Sequence, residues 1–543
     1  MEWRVVIAVV AVLCSVFTCL TAFSENEMPE RSRISAYTSH APIYINGDVG
    51  FLGSNASTGI SCGSGTTTDP YIIEGWDINA TSSDGIEIRN ANVSFIIRNC
   101  LVYRGTGSTN AIFLYHCSSG RIFNNSCTNC TNYGIEVERS EGIEISNNTC
   151  WNNRFTIRLY LTNDSIISNN TCHDNQIGIF PYLSRNLTIS NNTCTANECG
   201  LQVFMSDGNI ILDNVCINNT DYAVHLSTSR YALVSGNTMT NDGILITGNE
   251  LLNYNSHSID STNMINGMPA IYVTNQSGFV LPIGAGQIIL ANCTNMAVTD
   301  RGFTDVCVGV ELAYCSNIAV TRVICSDTAW GIYLYASSNN DIYDCNCSGS
   351  DVGIRIGYSN GNEVYGNNCS GNVRGIELMS SDWSDISGNI VSNNSEHGIS
   401  LISMSDRNNI KNNLIENNTA YGIWLFSGTL NRIWNNTFID NNGATVTYDP
   451  GHIQAMDDAI NNWWNTTGTP GYGNYWSDWT TPDTSPTDGI VDAPYVLDGG
   501  VSSQDEYPLT LIPMPIPEFL DAIIPIIATL GLFLLFRFRR EER

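Results

Sequence analysis

The sequence predicts an all-β protein, a single-stranded right-handed parallel β-helix with about 22 residues per turn and a capping segment at each end. Three observations support this prediction. Equivalent positions recur every 22 residues, at Gly134, Thr156, Gly178 and Gly200 and again at Gly309, Gly331, Gly353 and Gly375. Apolar and polar residues alternate within each turn, as in strands with one buried face. Asparagine pairs and cysteines share the period. Leucine-rich repeats also fit it, but they need a leucine-rich core and helical returns that this chain lacks.

The N-terminal part of the chain predicts export. Residues 1–24 contain Arg4, an apolar run over 5–20 and small residues at Ala22 and Ser24, which are the three parts of a secretory signal. Residues 25–83 precede the clear repeats, and we expect them to form an N-terminal cap.

The repeats fall into two regions, residues 84–250 and 309–450. Between them the period breaks over 251–308, which predicts an irregular turn or excursion within one continuous helix. Two separate rods joined by a flexible hinge are the alternative. Counting the repeats predicts a rod of about 12 to 15 turns.

The C-terminal part of the chain predicts a cap and an anchor. Residues 451–510 are rich in aromatic residues and aspartate, and 511–518 form a proline-rich spacer. Residues 519–536 are long and apolar enough for a transmembrane or sorting helix, and the basic tail 537–543 would then stay in the cytoplasm. A buried C-terminal helix is the alternative.

The charge of the chain argues against a nucleic-acid partner. The formal net charge is −29, and Lys411 is the only lysine. Binding to phosphates requires clustered lysine and arginine.

Two columns of residues should stack from turn to turn. One is a cysteine column, which we interpret as small side chains filling the core: Cys127, Cys150, Cys172, Cys194, Cys216, Cys325, Cys347 and Cys369. Disulfides along it would be strained because stacked strands lie about 4.8 Å apart. A thiolate metal stack is the less favoured reading. The other column consists of asparagine pairs starting at Asn124, Asn147, Asn169 and Asn191, which are typical of corners.

No complete catalytic site can be assigned, so the catalytic residues stay unknown and the sequence favours a protein that is not an enzyme. Glu136, Glu311 and Glu377 share a position in the repeat, but the nearest two lie three turns apart, about 14 Å. We interpret them as part of a mixed, solvated face. The seven histidines are scattered among different repeat positions, which disfavours a copper site.

The predicted C-terminal cap holds the candidate ligand-binding residues. Aromatic rings can stack on sugars, which makes candidates of Trp463, Trp464, Tyr475, Trp476 and Trp479. The alternative is that they cover the last turn. Carboxylates around a glycine turn can bind calcium, the one cofactor that the sequence suggests, and the candidates are Asp483, Asp488 and Asp492.

The chain contains many acceptor motifs for N-glycosylation. In an exported protein these are candidate glycan sites. They include Asn55, Asn79, Asn92, Asn129, Asn163, Asn186, Asn275, Asn292, Asn417, Asn435 and Asn465.

Four segments also carry a family resemblance. They are GSGTTTDPYIIEGW at 63–76, NGMP and NQSG within 266–278, GNYWSD at 473–478, and Pro517, Glu518 and Phe519. With them the chain resembles archaeal surface proteins of the NosD-like β-helix type, which include carbohydrate-binding and sugar-hydrolase repeats. The resemblance implies the same fold, and it implies that the last motif is a sorting signal that a sortase-like enzyme cleaves.

These observations lead to a first hypothesis and two alternatives. The first is a membrane-anchored cell-surface glycoprotein with a structural or adhesive role, or one that binds polysaccharide or other envelope components. The main alternative is a polysaccharide lyase or glycoside hydrolase on the same scaffold. A copper-handling accessory protein is the less favoured third.

Overall fold

The protein is a right-handed parallel β-solenoid of about 17 turns with about 22 residues per turn. A computed structural model describes residues 37–52, 58–466, 472–484, 487–500 and 502–513. The sequence-based count of turns was too low. The first and last turns lack the regular glycine, cysteine and asparagine markers, because longer connections interrupt them.

The first stack of turns has three faces, and each contributes buried apolar residues to the core. Face 1 comprises Ile43–Asn46, Ile86–Arg89, Ile112–Tyr115, Tyr133–Glu138, Phe155–Tyr160, Ile177–Tyr182, Cys199–Phe204, Tyr222–Ser227 and Ile244–Thr247. Face 2 comprises Ile60–Cys62, Tyr71–Glu74, Phe95–Arg98, Gly120–Phe123, Glu144–Ser146, Ile166–Ser168, Thr188–Ser190, Ile210–Leu212, Leu233–Ser235 and Ser258–Ile259. All neighbouring pairs are parallel except the first pair of face 2.

Face 3 of the first stack carries the cysteine column. It comprises Thr38–His40, Trp76–Asn79, Leu101–Tyr103, Ser126–Thr128, Thr149–Trp151, Thr171–His173, Thr193–Thr195, Val215–Ile217, Thr238–Thr240 and Met264–Ile265. Cys127, Cys150, Cys172, Cys194 and Cys216 are consecutive Cα partners and are fully buried. All cysteines of the described residues are free thiols.

The second stack repeats this arrangement. Face 1 comprises Met268–Thr274, Gln287–Ala291, Val308–Ala313, Trp330–Tyr335, Val352–Gly357, Arg374–Met379, Ile399–Ile402, Ile423–Leu425 and Ala455–Asp457. The other faces comprise Thr294–Thr304, Ser316–Ser326, Asp341–Tyr343, Asn346–Ser348, Glu363–Tyr365, Asp385–Ser387, Ile390–Ser392, Asn409–Lys411, Leu414–Glu416, Arg432–Trp434, Thr437–Ile439 and Tyr475–Trp476. Cys325, Cys347 and Cys369 are buried there, and the first two are Cα partners.

The remaining elements are short. A pair of two-residue strands, Tyr495–Val496 and Gln504–Asp505, runs antiparallel in the C-terminal cap. The helical segments of the described residues are the α-helix Leu252–Asn255 and the 3₁₀ turns Asp48–Phe51 and Asn441–Gly443.

Asparagine pairs form the corners. The first member of each pair has a left-handed backbone, as at Asn147 and Asn169 with φ of 57° and 56°, and it faces solvent. The second member is buried and donates its Nδ2 to the Oδ1 of the next turn at 2.8–3.0 Å. This ladder consists of Asn125, Asn148, Asn170, Asn192, Asn214, Asn237 and Asn263. Such bonds satisfy the polar groups that a tight corner buries.

The two stacks meet between residues 244 and 311. Met264–Ile265 pairs antiparallel with the start of Met268–Thr274, so the strand direction reverses at this join. The edge strand Ile244–Thr247 is the last strand of its sheet in the described part of the chain. Its Ile244 and Ile246 N–H groups donate instead to Gln287 Oε1 (2.9 Å) and Glu311 Oε2 (3.4 Å). Side chains of the second stack therefore cover an edge that would otherwise be open to pairing.

Several predictions concern residues outside these ranges. They are the signal over 1–24, Asn55, the motif Pro517, Glu518 and Phe519, the helix over 519–536 and the tail over 537–543. Within the described ranges, no helix is long and apolar enough to cross a membrane.

Candidate carbohydrate-binding site

Two of the five predicted aromatic residues belong to the core of the C-terminal cap. Trp464 and Trp476 are each 1% exposed. The Trp476 ring lies between Phe438 and Tyr495, with ring centroids 4.1 and 4.0 Å away. Burial leaves neither indole ring a free face on which a sugar could stack, so for both tryptophans the prediction of aromatic stacking on carbohydrate was wrong. They cover the open apolar end of the last turn.

Trp479 and Tyr475 support the same cap. The Trp479 ring packs against Tyr448 and Tyr495, and its Nε1 donates to the Ala493 carbonyl at 3.1 Å. Tyr475 pairs with Thr437 of the preceding turn and is half-buried. Neither side chain lines the hollow at Trp463.

Trp463 is placed differently. It precedes the buried Trp464, so strand alternation turns its ring outward, where it is 37% exposed. It borders a hollow of about 370 Å³, a volume within the range of ligand pockets. The lining consists of Asn462, Trp463, Trp464, Asn465, Thr466, Gln504, Glu506 and Tyr507. One aromatic ring among amide, hydroxyl and carboxylate groups suits a ligand with an apolar face and many hydroxyls.

Asp505 positions the polar side of this hollow. It is fully buried, and its Oδ2 accepts hydrogen bonds from Asn474 N (2.7 Å) and Trp476 Nε1 (3.0 Å). Burial raises the pKa of its carboxyl to about 6. Because Asp505 points inward, its neighbours Gln504 and Glu506 point outward into the hollow, where Gln504 Nε2 donates to Glu506 Oε1 at 3.2 Å.

Sequence reasoning missed Gln504, Glu506 and Tyr507. Their only signal was the polar run 503–507 beyond the aromatic segment. The antiparallel pairing of Gln504–Asp505 with Tyr495–Val496 brings this polar run to the hollow at Trp463. The 22-residue repeat does not predict this pairing.

The three predicted calcium ligands do not converge. Asp483 Oδ2 accepts from Gly489 N at 2.8 Å, and Asp488 Oδ1 accepts from Ile490 N at 3.1 Å. Asp492 Oδ2 accepts from Thr484 N at 2.8 Å. Each carboxylate therefore accepts from a backbone N–H group two to eight residues away along the chain. In the part of the chain that the structure describes, no group of three or more His, Cys, Asp or Glu side chains is arranged to hold a metal ion.

The three glutamates predicted to lie on a solvated face are instead buried. Glu136 contacts Arg158 and Asn110, and Glu377 contacts Arg355 and Arg374. Glu311 lies at the join of the two stacks, and burial raises its pKa well above the usual range. The arginine partners explain how the carboxylates of Glu136 and Glu377 can be buried on an outward face. The glutamates lie on separate turns, and no acid pair forms among them.

Most of the glycosylation candidates are accessible. The exposed ones are Asn79, Asn92, Asn129, Asn186, Asn275, Asn292 and Asn417, and the half-buried ones are Asn163, Asn435 and Asn465. At Asn417 and Asn435 the acceptor is the outward member of a corner pair, and the ladder member follows it. The fold thus leaves these acceptor side chains outside the core.

Comparison with known proteins identifies the family. The chain matches the family described as periplasmic copper-binding protein (NosD) over residues 38–186, 71–271 and 270–481, and it belongs to this family. No curated protein matches.

The solved structures to which the chain is similar are distant. An alginate lyase from a Paenibacillus species is 12% identical with a TM-score of 0.25, and the match covers 57% of this chain and 98% of the lyase. A mutant of the periplasmic alginate epimerase AlgG is 11% identical with a TM-score of 0.28, covering 67% and 84%. The Azotobacter vinelandii mannuronan C-5 epimerase AlgE4 A-module is 11% identical with a TM-score of 0.19, covering 69% and 86%.

The described residues do not fit the copper that the family description names. Copper requires several histidine, methionine or cysteine ligands at one point. The column thiols are packed in the core, where contact with neighbouring thiols and burial raise the pKa values of Cys127 and Cys347. His225 and His257 are buried on different turns, and burial lowers the pKa of each to about 4.

Proposed function

We propose that this protein is an exported β-helix of the cell surface that binds polysaccharide through the hollow beside Trp463. The observation that carries the proposal is the half-exposed Trp463 ring at the wall of a polar hollow of about 370 Å³. The ring offers a flat apolar face to a sugar, while Gln504, Glu506 and Asn465 offer hydrogen-bonding groups.

The construction of the cap supports this proposal. Trp464 and Trp476 seal the last turn, and their indole N–H groups donate to Asp457 and Asp505 at 3.0 Å. The last turn is therefore covered without Trp463. An exposed large aromatic side chain beside a hollow indicates a binding site more strongly than a buried one, which is needed for packing.

Arg432 covers one face of the Trp463 ring. Its guanidinium lies 5.7 Å from the centre of the Trp463 ring. One face of the ring is therefore covered by a cation–π contact, and a sugar ring can stack only on the other face.

The test is binding of the purified chain to a panel of polysaccharides, measured by affinity electrophoresis. Trp463→Ala should weaken binding about tenfold or more, which corresponds to about 1.4 kcal/mol. Trp383→Ala is the matched control, because Trp383 is also exposed and carries Arg407 at 5.2 Å but does not line the hollow.

Three results contradict the proposal: no polymer binds, both variants bind like the parent chain, or both weaken binding equally. Turnover of a bound polymer would favour the alternative of a lyase or hydrolase on this scaffold.

A further inference from the structure

We infer that the hollow beside Trp463 selects uncharged sugars and excludes polysaccharides that carry carboxylate or sulfate groups. This inference rests on the proposed function and names the class of ligand for the same site. It follows from the charges around the hollow.

The C-terminal cap is acidic throughout. From residue 451 to residue 513 the chain has no lysine or arginine and nine carboxylates. They are Asp457, Asp458, Asp478, Asp483, Asp488, Asp492, Asp498, Asp505 and Glu506. The whole chain adds to this field with a formal net charge of −29.

The lining of the hollow follows the same pattern. None of its residues is basic, and Glu506 is an exposed carboxylate among them. Buried Asp505, the preceding residue, adds a second carboxyl group, with its pKa raised to about 6 by burial. The nearby cation Arg432 is engaged with the Trp463 ring and does not line the hollow.

A carboxylate of a bound sugar would therefore meet like charge and find no cation among the residues that line the hollow. Unpaired like charges at a binding site reduce affinity and thereby reject the wrong ligand. A hydroxyl group of a neutral sugar instead donates to the Glu506 carboxylate, and hydrogen bonds to an ionised acceptor are stronger than neutral ones. Glu506 thus favours neutral sugars in two ways.

The exclusion of acidic polymers should depend on salt concentration. At physiological ionic strength exposed charges are screened beyond about 8 Å, and screening becomes shorter-ranged as salt rises. Exclusion of an acidic polymer should weaken at high salt, whereas binding of a neutral polymer through stacking and hydrogen bonds should change little.

The experiment compares mannan and xylan as neutral probes with alginate and polygalacturonate as acidic probes, each at low and high ionic strength, using the full chain. We expect at least one neutral polymer to bind with less than about threefold change between the two salt conditions, since a contact without net charge is little screened. The acidic polymers should not bind at low salt.

Two variants localise the effect. Glu506→Gln should weaken binding of the neutral polymer and should allow some binding of the acidic polymers. Asp488→Asn is the matched control, because it removes one charge from an exposed position of the same cap and keeps the acceptor for Ile490 N.

The outcomes are distinct. An acidic polymer that binds tightly at low salt and is released at high salt overturns the inference, while polysaccharide binding itself stands. Equal effects of both variants overturn the role of Glu506. If neither class of polymer binds, the proposed function fails.

Discussion

Two asparagine ladders each end at a buried aspartate, one at the join of the stacks and one in the C-terminal cap, and the two aspartates differ in their hydrogen bonds. The first runs through Asn153, Asn175, Asn197 and Asn219 and ends at Asp242. The second runs through Asn367, Asn389, Asn413, Asn436 and Asn474 and ends at Asp505. Each amide donates toward the next turn, so the last position needs only an acceptor, and a carboxylate provides it.

The two carboxylates are satisfied to different degrees. Asp505 uses both oxygens, since Oδ1 accepts from Tyr507 N at 3.0 Å while Oδ2 accepts from Asn474 and Trp476. Asp242 accepts from Asn219 through Oδ2 alone, and its buried Oδ1 has no hydrogen-bond partner in the described structure. Burial raises the pKa of Asp242 to about 7 and that of Asp505 to about 6. At neutral pH, Asp242 at the join is therefore protonated to a larger extent than Asp505 in the cap.

The largest effect should come from breaking a ladder in its interior. Asn192 Oδ1 accepts from Asn170 N and Nδ2 at 2.9 Å each, and Asn192 Nδ2 donates to Ile167 O at 2.9 Å. Asn192→Leu would remove these three buried hydrogen bonds, and each polar group left unsatisfied costs about 1 to 3 kcal/mol before relaxation. Asn170 Nδ2 keeps its second bond, to Ile145 O at 2.9 Å. We expect a loss of about 3 to 6 kcal/mol in the free energy of unfolding, measured by urea denaturation.

Asn191→Gly is the control for this variant. Asn191 is the exposed corner residue with φ of 55°, a conformation that glycine also adopts. Its cost should stay below about 1 kcal/mol. Equal losses in both variants would show that the ladder bonds are not what stabilises the corner.

The repeated middle of the molecule could be predicted from the sequence because each of its contacts recurs every 22 residues. That spacing places Cys150 beside Cys172 and Asn148 beside Asn170 without any knowledge of distant segments. The reversal at Met264–Ile265 could not be predicted, because it is a single event with no counterpart in the repeat.

The site was only partly predictable for the same reason. Strand alternation indicates that one of Trp463 and Trp464 points inward, but the sequence does not tell which. In the structure Trp464 points inward, because its indole N–H donates a hydrogen bond to Asp457 inside the core of the cap. The partners of Trp463 come from residues 504–507, about 40 residues further along the chain, through pairing that has no periodic signal.

The second prediction concerns the pH dependence of the join. Asp242 has a usual pKa of 3.8 when unfolded and about 7 in the folded protein, where burial and the nearby carboxylate of Asp221 disfavour its charge. Below about pH 4 Asp242 is protonated in both the folded and the unfolded protein, and its contribution to stability is greatest. As the pH rises from 4 to 7, Asp242 stays protonated only in the folded protein. The free energy of unfolding therefore falls, by up to about 4 kcal/mol.

Hydrogen exchange of the Ile244–Thr247 amides between pH 4 and 8 measures this effect, since that edge strand lies beside Asp242. Asp242→Asn stays neutral at every pH and should flatten the dependence of these amides. Because the charge of the whole chain also varies with pH, the informative quantity is the difference between the two proteins. Identical profiles would mean that another group controls the join.

The smallest effect distinguishes the two ladder ends most directly. Asp505→Asn keeps one acceptor oxygen for Asn474 and Trp476 but turns an NH₂ group toward Tyr507 N–H, so two donors face each other. We expect a loss of about 1 to 3 kcal/mol, the cost of a buried unsatisfied group. Asp242→Asn creates no such conflict, because its second oxygen already lacks a partner. At neutral pH it also removes the cost of ionising a buried carboxyl group, so this variant should be at least as stable as the parent chain. Thermal unfolding of both variants at pH 7 tests the contrast. If Asp242→Asn is the more damaging of the two, an ionised carboxylate is required at the join and the difference drawn between the two ends is wrong.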